Sequence, residues 1–236
     1  MIKTLPKLLL FTILICLLSL TSKAQLGYNY AQYDFGVAAS INTVYGDAET
    51  IKQTPALHLS FNYNQTAFIN HIVELQIGKL AGGDSVNTLS GRQFNNHFTA
   101  VVFRSQLQAG EFIDYSQSAL ANAFKNLYIS TGIGAIFNNL VDVNRYSIKV
   151  PGFYTAGVNQ STNLFLPLRI GYEFKVFNQY DEPTLKIDFA YQYNYVFGDD
   201  IDGYRVGNQG DKFLQWSLGF KFAIGGVTSN NKQISY

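Results

Sequence analysis

From residue 33 onward the chain alternates apolar and polar residues, and no stretch longer than a few turns shows helical spacing. Leu185 to Phe197 puts Leu185, Ile187, Phe189, Tyr191, Tyr193, Tyr195 and Phe197 on one face and Lys186, Asp188, Ala190, Gln192, Asn194 and Val196 on the other. The same separation runs through Leu164 to Lys175, where Leu, Ile, Tyr and Phe oppose Phe165, Pro167, Arg169, Gly171, Glu173 and Lys175. It recurs from Phe213 to Ile224, with Leu214, Trp216, Leu218, Phe220 and Phe222 opposite Gln215, Ser217, Gly219 and Lys221. Looser versions occupy Tyr33 to Tyr45, Ala56 to Asn64, His71 to Leu80, Phe98 to Ala109 and Leu127 to Asn138. The pattern predicts eight strands, several of them near the roughly 9 to 11 residues that a tilted strand needs to cross a bilayer.

Period two does not say whether the apolar face meets a core or lipid; the polar faces decide it. A soluble sandwich or barrel would carry Lys and Glu there, whereas these faces are mostly Gly, Ser, Asn and Gln with a few mixed charges. Charged residues are 14% of the chain against roughly 25% in soluble domains, while aromatics reach 15% and lie toward strand ends as in interfacial girdles. A mean hydropathy of +0.01 excludes a bundle of membrane helices. The expectation is all-β: an eight-stranded antiparallel transmembrane β-barrel, an up-and-down meander with apolar side chains outward and polar ones inward. Its links fit: Gly46 to Pro55, Ala81 to His97, Asn139 to Asn163 and Gly198 to Lys212 are mostly long and would face outside, and Gln65 to Asn70 and Phe177 to Pro183 are short. The inner link Gly110 to Asn126 is the exception, and Ser116 to Phe124 suits one short periplasmic helix capped by Ser116 or Ser118.

Residues 1–24 have the layout of a secretory signal: Lys3 and Lys7, an apolar run from Leu8 to Leu20, then Ser22-Lys23-Ala24 before Gln25. The run is too short to span a bilayer, and Ile15 before Cys16 does not suit lipidation. The expected organisation is a signal peptide at 1–24, a barrel at 25–226 and a polar tail at 227–236. Without the signal, 14 basic and 16 acidic side chains remain and the only cysteine is gone. No field favours nucleic acid, and the expected setting is the outer membrane of a Gram-negative bacterium, with lipid and other envelope proteins as partners.

The inward set predicts a charge network of Asp34, Glu74, Arg104, Arg169, Glu173, Lys175, Lys186, Asp188 and Lys221. An eight-stranded barrel is just wide enough to be filled by side chains, so these groups are expected to pair and close the lumen, Glu173 with Lys186 and Asp188 with Lys221. A small pore is the alternative. His58, His71 and His97 have no second ligand at zinc spacing, and no cofactor or metal is expected. A lipid-modifying enzyme would have to draw on His97, Ser85 or Ser90 and Asp84, which no local motif unites. Asp199 to Gly203 lacks the spacing of a calcium loop and reads as solvated. Gly132 and Gly134, on an inward face, would make room for Tyr128 or the charges.

Short pieces of the chain resemble small outer-membrane barrels of Bacteroidota. Tyr45-Gly46-Asp47, Lys79-Leu80-Ala81-Gly82-Gly83-Asp84, Arg92 and Phe197-Gly198-Asp199-Asp200-Ile201-Asp202-Gly203-Tyr204 look like those of PorG-type barrels of the type IX secretion apparatus; Asn139 to Asn163 departs from that pattern. The resemblance implies a non-enzymatic barrel that steadies an envelope machine for secretion or barrel assembly. The candidate contact surfaces are the outer loops and the periplasmic segment Phe112 to Lys125, with Ser116, Leu120 and Phe124.

Overall fold

The computed structural model describes residues 27–116, 118–147, 149–205 and 210–231, so the expected signal peptide and the last residues of the tail lie outside the described residues. Eight strands close into one barrel in sequence order: β1 (Gly27–Tyr45), β2 (Gln53–Asn64), β3 (Ile69–Gly83), β4 (Gln93–Gln108), β5 (Leu127–Asn144), β6 (Gln160–Phe177), β7 (Pro183–Phe197) and β8 (Lys212–Asn231). Every neighbouring pair is antiparallel, and β8 returns to β1. Closure leaves no sheet edge unpaired, which lipid demands of any spanning sheet. Among the described residues no helix is long and apolar enough to cross a membrane; strands do the crossing.

Side-chain exposure establishes the orientation. Trp216 and Leu218 are 51% and Phe220 44% exposed on the outside, while Gln192, Arg169 and Lys221 are 0, 2 and 5% exposed within. The barrel is therefore inside-out.

The strands outrun their predicted limits. A bulge between Ala31 and Tyr33 shifts the alternation of β1, so residues from Gly27 pair in a different phase. Their partners are Val227 to Asn231, which makes the expected tail after Gly226 a strand as far as Asn231. Backbone pairing needs no apolar face, and Val227 to Ser229 are exposed. Another bulge, between Asn95 and Asn96, accompanies the extension of β5 to Asn144.

Both termini of the barrel lie at the end that carries the tight turns 65–68 and 178–182, the periplasmic end in the usual arrangement. Thr66 Oγ1 accepts from the amides of Phe68 and Ile69 at 3.1 and 2.9 Å, and Asn178 Oδ1 accepts from those of Tyr180 and Glu182 at 2.8 and 3.0 Å. The remaining inner link, between β4 and β5, holds the predicted helix, α1 (Ala119–Phe124), with Ser118 as its N-cap.

Candidate functional site

Strand register stacks the inward side chains into layers. In the outermost, Leu80, Phe94, Phe98, Ile136, Phe165, Val196 and Phe213 form an apolar cluster inside the barrel. Phe165 lies against Gly134, where a Cβ would collide with its ring. The inward faces are thus less uniformly polar than alternation implies, and Gly134 makes room for Phe165.

Beneath it an amide chain crosses the lumen. Gln192 Nε2 donates to Gln215 Oε1 at 2.9 Å, Gln215 Nε2 to Gln76 Oε1 at 3.1 Å, and Gln76 Nε2 to Glu74 Oε1 at 2.7 Å. The charged layer follows. Arg104 Nη2 meets Glu74 Oε2 at 2.8 Å, Arg169 Nη2 meets Asp188 Oδ2 at 3.1 Å, Lys186 Nζ meets Asp34 Oδ2 at 2.5 Å, and Lys221 bridges Asp188, at 3.0 Å, and Glu173. Eight of the nine predicted network residues are buried here.

Two details of the expected pairing differ. Glu173 pairs with Lys221 and not with Lys186, because the register sets Glu173 opposite Asp188 and Lys186 opposite Lys221. Lys186 reaches Asp34 on β1. Lys175 is only half-buried and stands below the network, its Nζ donating to Ala67 O at 2.8 Å and Gln108 Oε1 at 2.7 Å and lying over the rings of Tyr28 and Phe68. Tyr128 joins the charges, donating to Asp188 Oδ1 at 2.6 Å and accepting from Arg169 Nε at 3.0 Å. Its hydroxyl sits against Gly171, the glycine that makes room for it, while Gly132 stands against Arg104 of the charged layer.

His58 is the lumenal residue missing from the predicted network, although alternation puts it on the polar face of β2. Its Nδ1 lies 3.0 Å from Glu74 Oε1 and its Nε2 2.7 Å from Ser40 Oγ. Glu74 accepts only, so Nδ1 carries a hydrogen. Ser40 Oγ is also 2.9 Å from Asn42 Oδ1, so its single hydrogen goes to Asn42 or to Nε2. The row has the order of a serine hydrolase triad, but all three residues are buried in the filled lumen and Arg104 occupies the second oxygen of Glu74.

The sequence-predicted His97, Ser85, Ser90 and Asp84 are not brought together. His97 is exposed on the outer wall, Ser85 meets Gln93, and Asp84 Oδ1 accepts from the amides of Val86 and Asn87 at 2.9 and 3.0 Å. No group of three or more metal-ligating side chains occurs among the described residues.

At the outer mouth, the loop expected to be solvated turns inward. Ile201, Asp202 and Tyr204 are fully buried; Asn96 Nδ2 donates to Ile201 O at 2.7 Å, and Tyr204 Oη lies 2.8 Å from the carbonyl oxygens of both Gln93 and Asn144. Asp202 accepts from the amides of Asp47 and Tyr204, Asp211 from that of Ile201, and the two carboxylates converge on Gly46, where a Cβ would come within 2.5 and 2.6 Å of them. Burial pushes Asp202 up to about 7; burial and the charge of Asp202 push Asp211 up to about 9.

At the periplasmic mouth, Tyr28, Phe68 and Tyr115 form an aromatic cap with Lys125 Nζ over two of its rings. The segment covering it is anchored by Gly110 N to Lys125 O at 2.7 Å and Tyr172 Oη to Ala123 O at 2.6 Å. Yet Phe112, Leu120 and Phe124 are 74, 68 and 50% exposed. Ser116 instead turns back on Asp114, its Oγ donating to Oδ1 at 2.6 Å.

No protein-family model and no curated protein matches the chain. Among solved structures it is similar to Neisserial surface protein A, at 13% identity over 82% of this chain and 98% of that one, with a TM-score of 0.49. It is also similar to the attachment invasion locus protein Ail of Yersinia pestis, at 13% over 82% and 98% with a TM-score of 0.44. The outer membrane protein OprG of Pseudomonas aeruginosa follows, at 13% over 84% and 99% with a TM-score of 0.37. The fold rests on the chain's own pairing: a closed eight-stranded barrel with an apolar exterior and a polar filling is the outer-membrane kind, and the protein is an integral outer-membrane β-barrel.

Proposed function

We propose that the protein is a non-enzymatic accessory barrel that docks a periplasmic partner of an envelope machine. The observation that carries this is the apolar patch Phe112, Leu120 and Phe124 on a firmly anchored inner link. Exposed apolar groups on an ordered surface mark a contact site. The filled lumen supports the same reading, since side chains bonded across it leave the barrel wall and its ends as the working surfaces. The likeness of the turn pieces around Gly46, Gly82 and Gly203 to PorG-type barrels points to the type IX secretion apparatus of Bacteroidota, with the barrel-assembly machinery as the other candidate.

The test is cross-linking in native membranes, with the tagged full chain compared with its Leu120→Ser/Phe124→Ser variant. The expected result is a cross-linked complex whose yield falls in the variant while the barrel keeps its heat-dependent gel shift. An unchanged complex overturns docking through this patch, and steady single-channel conductance in planar bilayers would favour the pore.

One observation favours a second reading, an outer-membrane hydrolase: the Ser40, His58 and Glu74 row. A fluorophosphonate probe offered to the folded protein separates the two. Labelling of Ser40 that His58→Gln abolishes supports the enzyme; an unlabelled Ser40 leaves the row as structural bonding.

A further inference from the structure

The outer wall is apolar for most of its height, and near its outer end a polar row crosses four strands. Lys79 on β3 is the register partner of His97 on β4, His97 of Asn139 on β5, and Asn139 of Gln160 on β6, and all four side chains are exposed. The row beside it toward the membrane is Leu57, Ile77, Thr99, Phe137 and Thr162. Both rows line a groove of about 1170 Å³. Below them the outward positions are Leu75, Val101, Ala135 and Leu164, so on each of these strands the polar side chain lies on the outer side of apolar ones.

The charge is placed for an anion. Arg104, Arg169, Lys186 and Lys221 are spent inside the lumen, while Lys79 stands outside. Neither its ammonium nor the His97 ring has a hydrogen-bond or ion-pair partner among the described residues. Of the acids nearest in sequence, Glu74 is buried in the lumen on Arg104, Asp84 is engaged by Val86 and Asn87 further out, and Asp142 is exposed beyond Asn139. A cation at the edge of a hydrocarbon belt, with amides and hydroxyls at its side and apolar wall beneath, matches a molecule with a phosphorylated, hydroxyl-rich head and acyl chains.

We propose that this groove seats a phosphorylated glycolipid of the outer leaflet. The phosphate meets Lys79 and His97, the sugar meets Asn139, Gln160 and Thr162, and the chains lie on Ile77, Leu57 and Phe137. A free phosphate would use only the first of these contacts, and a protein ligand would have to displace lipid from the apolar part.

The test is native mass spectrometry of the full-length protein folded in detergent and titrated with bis-phosphorylated lipid A, dephosphorylated lipid A or phosphatidylglycerol. Wild type should retain one bis-phosphorylated lipid A per barrel. Lys79→Gln should weaken retention about fivefold, the weight of one cation beside an anionic lipid, and the Lys79→Gln/His97→Gln variant further. Lys212→Gln, the same charge change elsewhere, should bind as wild type does. Undiminished binding by the double variant, or an equal loss in Lys212→Gln, overturns the site. Phosphatidylglycerol held as tightly as lipid A overturns the glycolipid assignment. The heat-dependent gel shift reports that each variant is folded.

Discussion

At the outer end a loop is drawn into the lumen, where Ile201 and Tyr204 join the cluster of Phe94 and Leu140 and the Tyr204 hydroxyl reaches two strand carbonyls. At the periplasmic end the link is tied down by backbone bonds, but its apolar side chains Phe112, Leu120 and Phe124 are exposed. Burial distinguishes the two closures. The outer loop's apolar residues complete a core, so they have no surface to offer a partner; the inner ones complete nothing in this chain.

The comparison predicts unequal costs. Tyr204→Ala should destabilise the barrel most, by about 3 to 5 kcal/mol in urea titrations in micelles, the usual cost of removing a buried aromatic side chain. Tyr204→Phe removes only the hydroxyl and leaves the carbonyls of Gln93 and Asn144 short of a donor, for about 1 to 3 kcal/mol.

A pH effect comes next. Closing the outer loop raises the Asp202 and Asp211 carboxyls above their ordinary value of 3.8, so the closed loop binds their protons more tightly than the open one. That stabilisation is complete below about pH 4 and is lost as pH rises through about 7 and about 9. Amide hydrogen exchange at Ile201 and Tyr204, corrected for its intrinsic pH dependence, should lose protection over that window. The Asp202→Asn/Asp211→Asn variant should not. Smallest of all, Leu120→Ser and Phe124→Ser should each change stability by less than about 0.5 kcal/mol. A cost at the inner end equal to that of Tyr204→Ala would abolish the distinction.

The fold was legible because lipid outside and a crowded interior impose opposite chemistry on alternate residues, as Leu218 and Lys221 show in one strand. Strand ends were obscured where a bulge shifts the phase, as between Ala31 and Tyr33. Membership of the charge network could be read from alternation, but its pairing could not: which acid meets Lys186 depends on register and on reach across the lumen to Asp34. The row through His58 lies diagonally across three strands, so no local spacing betrays it. In Asp199 to Gly203 the acids suggested water, although Ile201 and Tyr204 were the residues that bury the loop.

The chain's single tryptophan tests the inside-out arrangement directly, because Trp216 lies on the outward face of β8 between Tyr191 and Ile41. The protein is folded into vesicles of ordinary or brominated-chain lipid and its fluorescence compared. Trp216 in contact with acyl chains should emit at short wavelength, lose most of its intensity in brominated lipid and resist quenching by aqueous iodide. Equal emission in both lipids, with quenching by iodide, would contradict a barrel whose apolar face meets the membrane.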